Sequence, residues 1–249
     1  MTTANAGPLL SADNVTKTFG GFVALDSVSF EVPRGQRLGL IGPNGSGKST
    51  LVNCLTGRLP YYQGSVRLSG EAIDGLKAHQ RCHLGITSSY QLPRPFHSLS
   101  VADNLRVPLL FRGKVRALKT PSPHALQERC HELLRMVSLE HLGAKYPRDL
   151  TQVEMRKLEL ARAMASEPKL LIADEAMAGL SEAETRDIVD LLIRLNETGV
   201  TVILIEHIMT AVLRFSQRLL VLVSGKTIAD GSPRDVIRHP EVVRAYLGQ

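Results

Sequence analysis

Tryptophan is absent, and aromatic residues make up only 4% of the chain, too few to build the stacking platforms that hold single-stranded nucleic acid. The cysteines, Cys54, Cys82 and Cys130, are odd in number and far apart. They lack the paired spacings of a metal site or a disulfide framework, which fits a reducing compartment. Long apolar runs are also missing: the longest covers residues 219–223, against the roughly 20 residues of a membrane-spanning helix. No basic stretch followed by an apolar one opens the sequence, so no secretory leader is expected. These absences point to a cytosolic chain that reaches a membrane only through a partner.

What is present is globular: 249 residues, 43% hydrophobic and 22% charged, enough for one large or two small domains. The formal charge is +6, but the basic residues are scattered, and no nucleic-acid partner is expected. The densest basic stretch, Arg112, Lys114, Arg116 and Lys119, reads as a solvated loop or as an approach to anionic lipid headgroups. Residues 14–19 and 26–32 alternate polar and apolar side chains like half-exposed antiparallel strands, and 64–70 adds another. A further strand is read over 84–89. From about 93 to 165 the period becomes helical, with connections marked by Pro108, Pro121, Pro123 and Pro147. Apolar runs at 170–173, 200–205 and 219–223 then alternate with helical segments such as 182–196, the pattern of a parallel sheet covered on both faces.

The densest chemistry lies directly after the apolar residues 38–41, where the chain reads Gly42, Pro43, Asn44, Gly45, Ser46, Gly47, Lys48, Ser49, Thr50. This glycine spacing lets backbone N–H groups curl around a phosphate chain. Lys48 supplies a mobile charge for the outer phosphates, Ser49 a hydroxyl ligand for Mg²⁺, and a helix opening at Lys48 its positive end. Leu51 and Leu55 give that helix an apolar face.

Ligands of such sheets bind at strand ends. The run 170–173 delivers Asp174 and Glu175, one carboxylate for the metal shell and one to polarise an attacking water. Acidic residues there also cap helices, but beside the glycine loop the metal-and-water role is the reading taken. The run 200–205 delivers Glu206 and His207, whose imidazole could bond a terminal phosphate oxygen or the water. Gln91 follows the 84–89 strand and could sense the γ-phosphate and metal.

Together these residues resemble the ATP-binding subunit of an ABC transporter, over nearly the whole chain. The resemblance makes 42–50 the Walker A loop, Asp174 and Glu175 the end of Walker B, Gln91 the Q-loop glutamine and a metal contact, His207 the switch histidine and Phe19 the adenine-stacking aromatic. It implies an α/β fold: a P-loop NTPase core with a mostly parallel sheet, an antiparallel N-terminal β-subdomain and an inserted helical subdomain. In this single domain of 1–249, the core would take about 8–91 and 166–249 and the helical subdomain about 92–165. Residues 17–21, 204–209 and 240–248 are similar to the branched-chain amino acid uptake group; urea and short-amide importers and lipopolysaccharide-export ATPases share much of the pattern. The implied activity is hydrolysis of ATP with Mg²⁺, coupled through the Q-loop region to membrane permease subunits on the cytoplasmic face of the plasma membrane, with a solute-binding protein as an indirect partner.

The sequence departs from the family at the signature motif, where Leu150 is followed by Thr151, Gln152, Val153 and Glu154, with valine in place of the glycine that approaches a partner subunit's ATP. Thr151 and Glu154 also spell a capping box, and a carboxylate there would compete with phosphate. Ala176 stands where a proline usually follows the catalytic glutamate, and Ser181 with Glu184 spells another box. The expected arrangement is a heterodimer, in which this chain's loop works with a second ATPase's intact signature. A reading of another class is a nucleotide-binding regulatory subunit with weak hydrolysis.

Overall fold

The computed structural model describes residues 7–89, 94–115 and 122–247. Its strands are β1 (Leu10–Phe19), β2 (Phe22–Val32), β3 (Arg37–Ile41), β4 (Gln63–Leu68), β5 (Glu71–Ala72), β6 (Ile86–Ser88), β7 (Leu170–Asp174), β8 (Thr201–Ile205), β9 (Arg218–Val223) and β10 (Lys226–Gly231). The helices are α1 (Lys48–Thr56), α2 (Ala78–Leu84), α3 (Val101–Val115), α4 (Pro123–Met136), α5 (Gln152–Met164), α6 (Glu182–Glu197), α7 (Met209–Phe215), α8 (Pro233–Val236) and α9 (Pro240–Leu247).

Alternation in β1 and β2 produces an antiparallel hairpin, which β4 and then β5 extend into the order β2-β1-β4-β5. The continuous apolar runs form the second sheet, ordered β10-β9-β3-β8-β7-β6. Its neighbours are parallel except for the terminal β9–β10 pair. Two-residue periodicity divides each buried strand between two faces. Leu170, Ile172, Ile203 and Ile205 join α1 and the antiparallel sheet in one core, whereas Leu171, Ala173, Val202 and Leu204 join α3 to α6 in the other. A third cluster gathers Ile41, Val212, Leu219, Val221, Val236 and Val242, packing the C-terminal helices beneath the start of the glycine loop.

Two local readings change. Leu84 ends α2, Gly85 breaks the chain at φ +106°, and the strand begins only at Ile86. Pro108 does not mark a connection but sits inside α3. Val101, Leu105 and Leu109 are buried along one side of that helix, and this packing outweighs the missing proline N–H. Pro123 and Pro147 do open helical turns, where the lost N–H had no partner to lose. Pro121 lies outside the described residues.

Arg81 is fully buried. Its guanidinium donates to the carbonyls of Cys54 (2.6 Å), Leu55 (3.0 Å) and Leu76 (3.0 Å), placing a cation on the negative end of α1. Arg81→Met should lower unfolding free energy by about 2–5 kcal/mol, because it strands buried acceptors; urea denaturation measures this, and a loss below about 0.5 kcal/mol would contradict it.

Candidate nucleotide site

The parallel strands end on one edge, and the register aligns Leu40, Ile205 and Asp174 in a row across β3, β8 and β7. With neighbouring strands about 4.8 Å apart, the glycine loop, the 206–207 pair and Glu175 leave that edge within one nucleotide's span. Gly42 adopts φ +155°, and a Cβ there would run into the Leu222 carbonyl. Gly47 lies at φ +103°, with a would-be Cβ 2.6 Å from the Ala24 oxygen. No side chain caps α1, and its first turn carries no acidic residue, so its N–H groups remain available to an anion. Among the described residues, Ser46 Oγ is buried without a hydrogen-bond partner. An uncapped helix start and an orphaned hydroxyl in one loop fit a phosphate chain.

Lys48 Nζ donates to the carbonyls of Gly42 at 2.7 Å and Pro43 at 3.0 Å. Burial lowers its pKa, while Glu175 and Asp174 oppose that shift. Burial chiefly, then the neighbouring Glu175, raises the Asp174 carboxyl, with Arg58 and Lys48 acting against them. The Ser49 hydroxyl and the Asp174 carboxylate are hard oxygen donors of the kind Mg²⁺ takes alongside phosphate and water. Among the described residues no three His, Cys, Asp or Glu side chains group as a metal cage.

Glu175 adopts φ +48°, a costly region for a non-glycine residue, and its N–H is tied to the Ile205 carbonyl at 2.9 Å. The His207 side chain is 66% exposed. Phe19 is half-exposed at the end of β1, with Lys17 Nζ 5.2 Å from its ring centre. Gln91 lies outside the described residues.

At the altered signature, Thr151 caps α5 and the predicted box forms: Glu154 Oε2 accepts from Thr151 N–H at 2.7 Å and Oγ1–H at 2.9 Å. Val153 packs partly buried against the helical core rather than standing free at the helix tip. Gln152 Nε2 reaches across to the Ala178 carbonyl at 3.2 Å, so this segment grips the turn that follows Glu175. The Ser181–Glu184 box forms too.

The chain matches the ABC transporter family over residues 25–178 and the C-terminal module of the branched-chain amino acid ATP-binding cassette transporters over 226–249. It belongs to the ABC transporter ATPases. The high-affinity branched-chain amino acid transport ATP-binding protein LivG of Salmonella typhimurium is 35% identical, with 97% of this chain and 98% of that protein aligned. BraF of Pseudomonas aeruginosa, described in the same words, is also 35% identical over the same shares. A solved ATP-binding cassette of an ABC transporter, MJ1267, superposes with a TM-score of 0.86 at 32% identity, covering 96% of this chain and 99% of that one. This ABC chain is thus an ATP-hydrolysing transporter subunit with the α/β cassette fold. No helix among its described residues is long and apolar enough to cross a membrane.

Sequence reasoning missed four residues that border the candidate site or hold the helix that builds it. Arg58 donates to Ser88 Oγ at 2.9 Å and bears electrostatically on Asp174. Glu206 is 2% exposed, although it was read only as the neighbour of His207. Arg81 anchors the far end of α1. Tyr246, on α9, lies beside the Gly42 backbone: burial raises its phenol pKa, and the Gly42 N–H works against that shift. Each is distant in sequence from what it contacts; the only advance signal is an arginine directly after Gly57, where α1 ends.

Proposed function

We propose that this ABC ATPase powers import of branched-chain amino acids, bound peripherally to membrane permease subunits on the cytoplasmic face and fed indirectly by a solute-binding protein. The observation that carries the nucleotide half is the row of Leu40, Ile205 and Asp174, which aims the glycine loop and two carboxylates at one point. Support for the solute comes from the C-terminal match over 226–249 and from the names of LivG and BraF; these favour it over urea, short amides or lipopolysaccharide.

Loop residues 42–50 would cradle the phosphates, Lys48 would leave its carbonyl partners for the outer phosphates, and Phe19 would stack on adenine. Ser49, Asp174 and Gln91 would hold Mg²⁺, which, when bound, neutralises developing charge on the phosphate oxygens. Glu175 would accept a proton from the attacking water and His207 would hold the terminal phosphate. The inserted segment, about 92–165, would form the helical subdomain and the flanking 8–91 and 166–249 the core, with coupling to the permeases near Gln91. A solved relative, the cassette MJ0796, is dimeric with ADP and Pi (26% identity, TM-score 0.78), which supports ATP held between two subunits.

The Glu154 carboxylate, fixed on Thr151, favours pairing with a second ATPase that supplies an intact signature; a homodimer would carry two impaired sites. It equally supports a second reading, a nucleotide-binding regulatory subunit of weak hydrolysis. Reconstitution with both permeases, the partner ATPase and the binding protein should give ATP-dependent leucine uptake, and uptake of urea alone would refute the solute assignment. In that assembly Val153→Gly should raise ATP turnover about tenfold by letting the backbone at the α5 start shift closer to the phosphate. Unchanged turnover and transport would remove the impaired-signature idea.

A further inference from the structure

Glu206 leaves β8 directly before His207 and is 2% exposed. One carboxylate oxygen accepts the Met177 N–H at 2.9 Å. The other, Oε2, is buried and makes no well-formed hydrogen bond among the described residues; the His207 backbone N–H lies close to the carboxylate, and Oε2 is 3.9 Å from His207 Nδ1. A buried carboxylate oxygen left unpaired is costly, so it marks a contact completed in another state. The imidazole is free to complete it, being 66% exposed, and catalytic hydrogen bonds commonly shorten when substrate binds.

Met177 stands at the start of the turn through Ala178 and Gly179, on the far side of Glu175. Gln152 and Arg156 both donate to the Ala178 carbonyl, at 3.2 Å and 3.4 Å. Gly179, at φ +80°, sits where a Cβ would come within 2.6 Å of Gln152 Nε2. Glu206 therefore joins the strand end bearing His207 to the turn gripped by the signature helix.

We propose that Glu206 is a positioning residue for His207: in the nucleotide-bound state it takes the Nδ1–H, aims Nε2–H at the terminal phosphate and locks that orientation to the Met177 turn. A phosphate oxygen accepts hydrogen bonds and cannot donate them. The exposed ring thus takes a second proton from solvent and sits as an imidazolium between two anions. Glu175 also bears electrostatically on Glu206 and keeps its separate role toward the water. This inference rests on the ATP-hydrolysis reading of the site.

The test is a double-mutant cycle in the assembled transporter. Glutamine keeps the shape of Glu206 and can still accept the Met177 N–H. E206Q should lower kcat about tenfold, the worth of one charge-assisted hydrogen bond, with KM for ATP unchanged. In an H207A background it should have no further effect. An equal fall in the H207A background, or an undiminished kcat in E206Q alone, would overturn the proposal. E175Q run alongside separates the two levels: full hydrolysis there removes the general-base assignment of the site, whatever E206Q does. Histidine ¹⁵N spectra of the wild-type chain with a non-hydrolysable ATP analogue provide a readout free of any variant, in which His207 Nδ1 should be protonated; a bare Nδ1 overturns the proposal.

Discussion

Glu175→Gln should bind ATP as tightly as the wild-type protein and hydrolyse it at least about a hundredfold more slowly, the lower end of what a positioned general base contributes. The glutamine keeps the size and the φ +48° backbone, and the backbone bond to Ile205 at 2.9 Å involves no side-chain atom. What disappears is the acceptor for the water's proton. The residue stands one position beyond Asp174, on the edge where the loop and His207 also emerge, so no other described carboxylate substitutes: Asp174 is the residue proposed to hold Mg²⁺, and Glu206 is buried and engaged with Met177. Phosphate release in the reconstituted complex, read beside binding of a fluorescent ATP analogue, gives both quantities. Hydrolysis within threefold of wild type would remove the general-base assignment.

Lys48→Ala should abolish productive nucleotide binding, with kcat/KM for ATP falling about a thousandfold, since the loop's backbone N–H groups would face the outer phosphates without a mobile cation. Lys48 is held on the carbonyls of Gly42 and Pro43 at 2.7 and 3.0 Å, which keeps the ammonium poised at the loop mouth. Burial works against its charge, and the two carboxylates offset only part of that. Exchange of those carbonyls for phosphate therefore replaces neutral partners by anionic ones, the stronger kind. Lys48→Arg should rescue poorly, because a planar fork does not reproduce a point charge inside a glycine loop. Isothermal titration with ATP and Mg²⁺ decides the matter: near-normal affinity together with near-normal turnover in Lys48→Ala would refute the role given to the loop.

The parts of this site that could be read in advance are those carried by consecutive residues. An apolar run followed by glycines and Lys-Ser, or by Asp-Glu or Glu-His, encodes strand, edge and ligand in one short string. The Thr151–Glu154 and Ser181–Glu184 boxes were legible for the same reason, being local three-residue contacts. Pro108 was misread because local propensity carries no knowledge of the core on which Val101, Leu105 and Leu109 close. The strand at 84–89 was drawn too long because Gly85 could be placed inside a strand as easily as after a helix. Arg58 with Ser88, Arg81 with Cys54 and Glu206 with Met177 bring together residues about 30 positions apart. Such pairings exist only once the sheet order is set, and no spacing rule predicts them.

The contact of Tyr246 with the Gly42 backbone gives the molecule an optical handle. Because the chain contains no tryptophan, a single indole placed at position 246 would be this chain's sole long-wavelength emitter, resting beside the first glycine of the phosphate loop. Its emission colour and quenching in the isolated chain would then follow loop occupancy in real time, turning helix α9 into a gauge of nucleotide entry and departure.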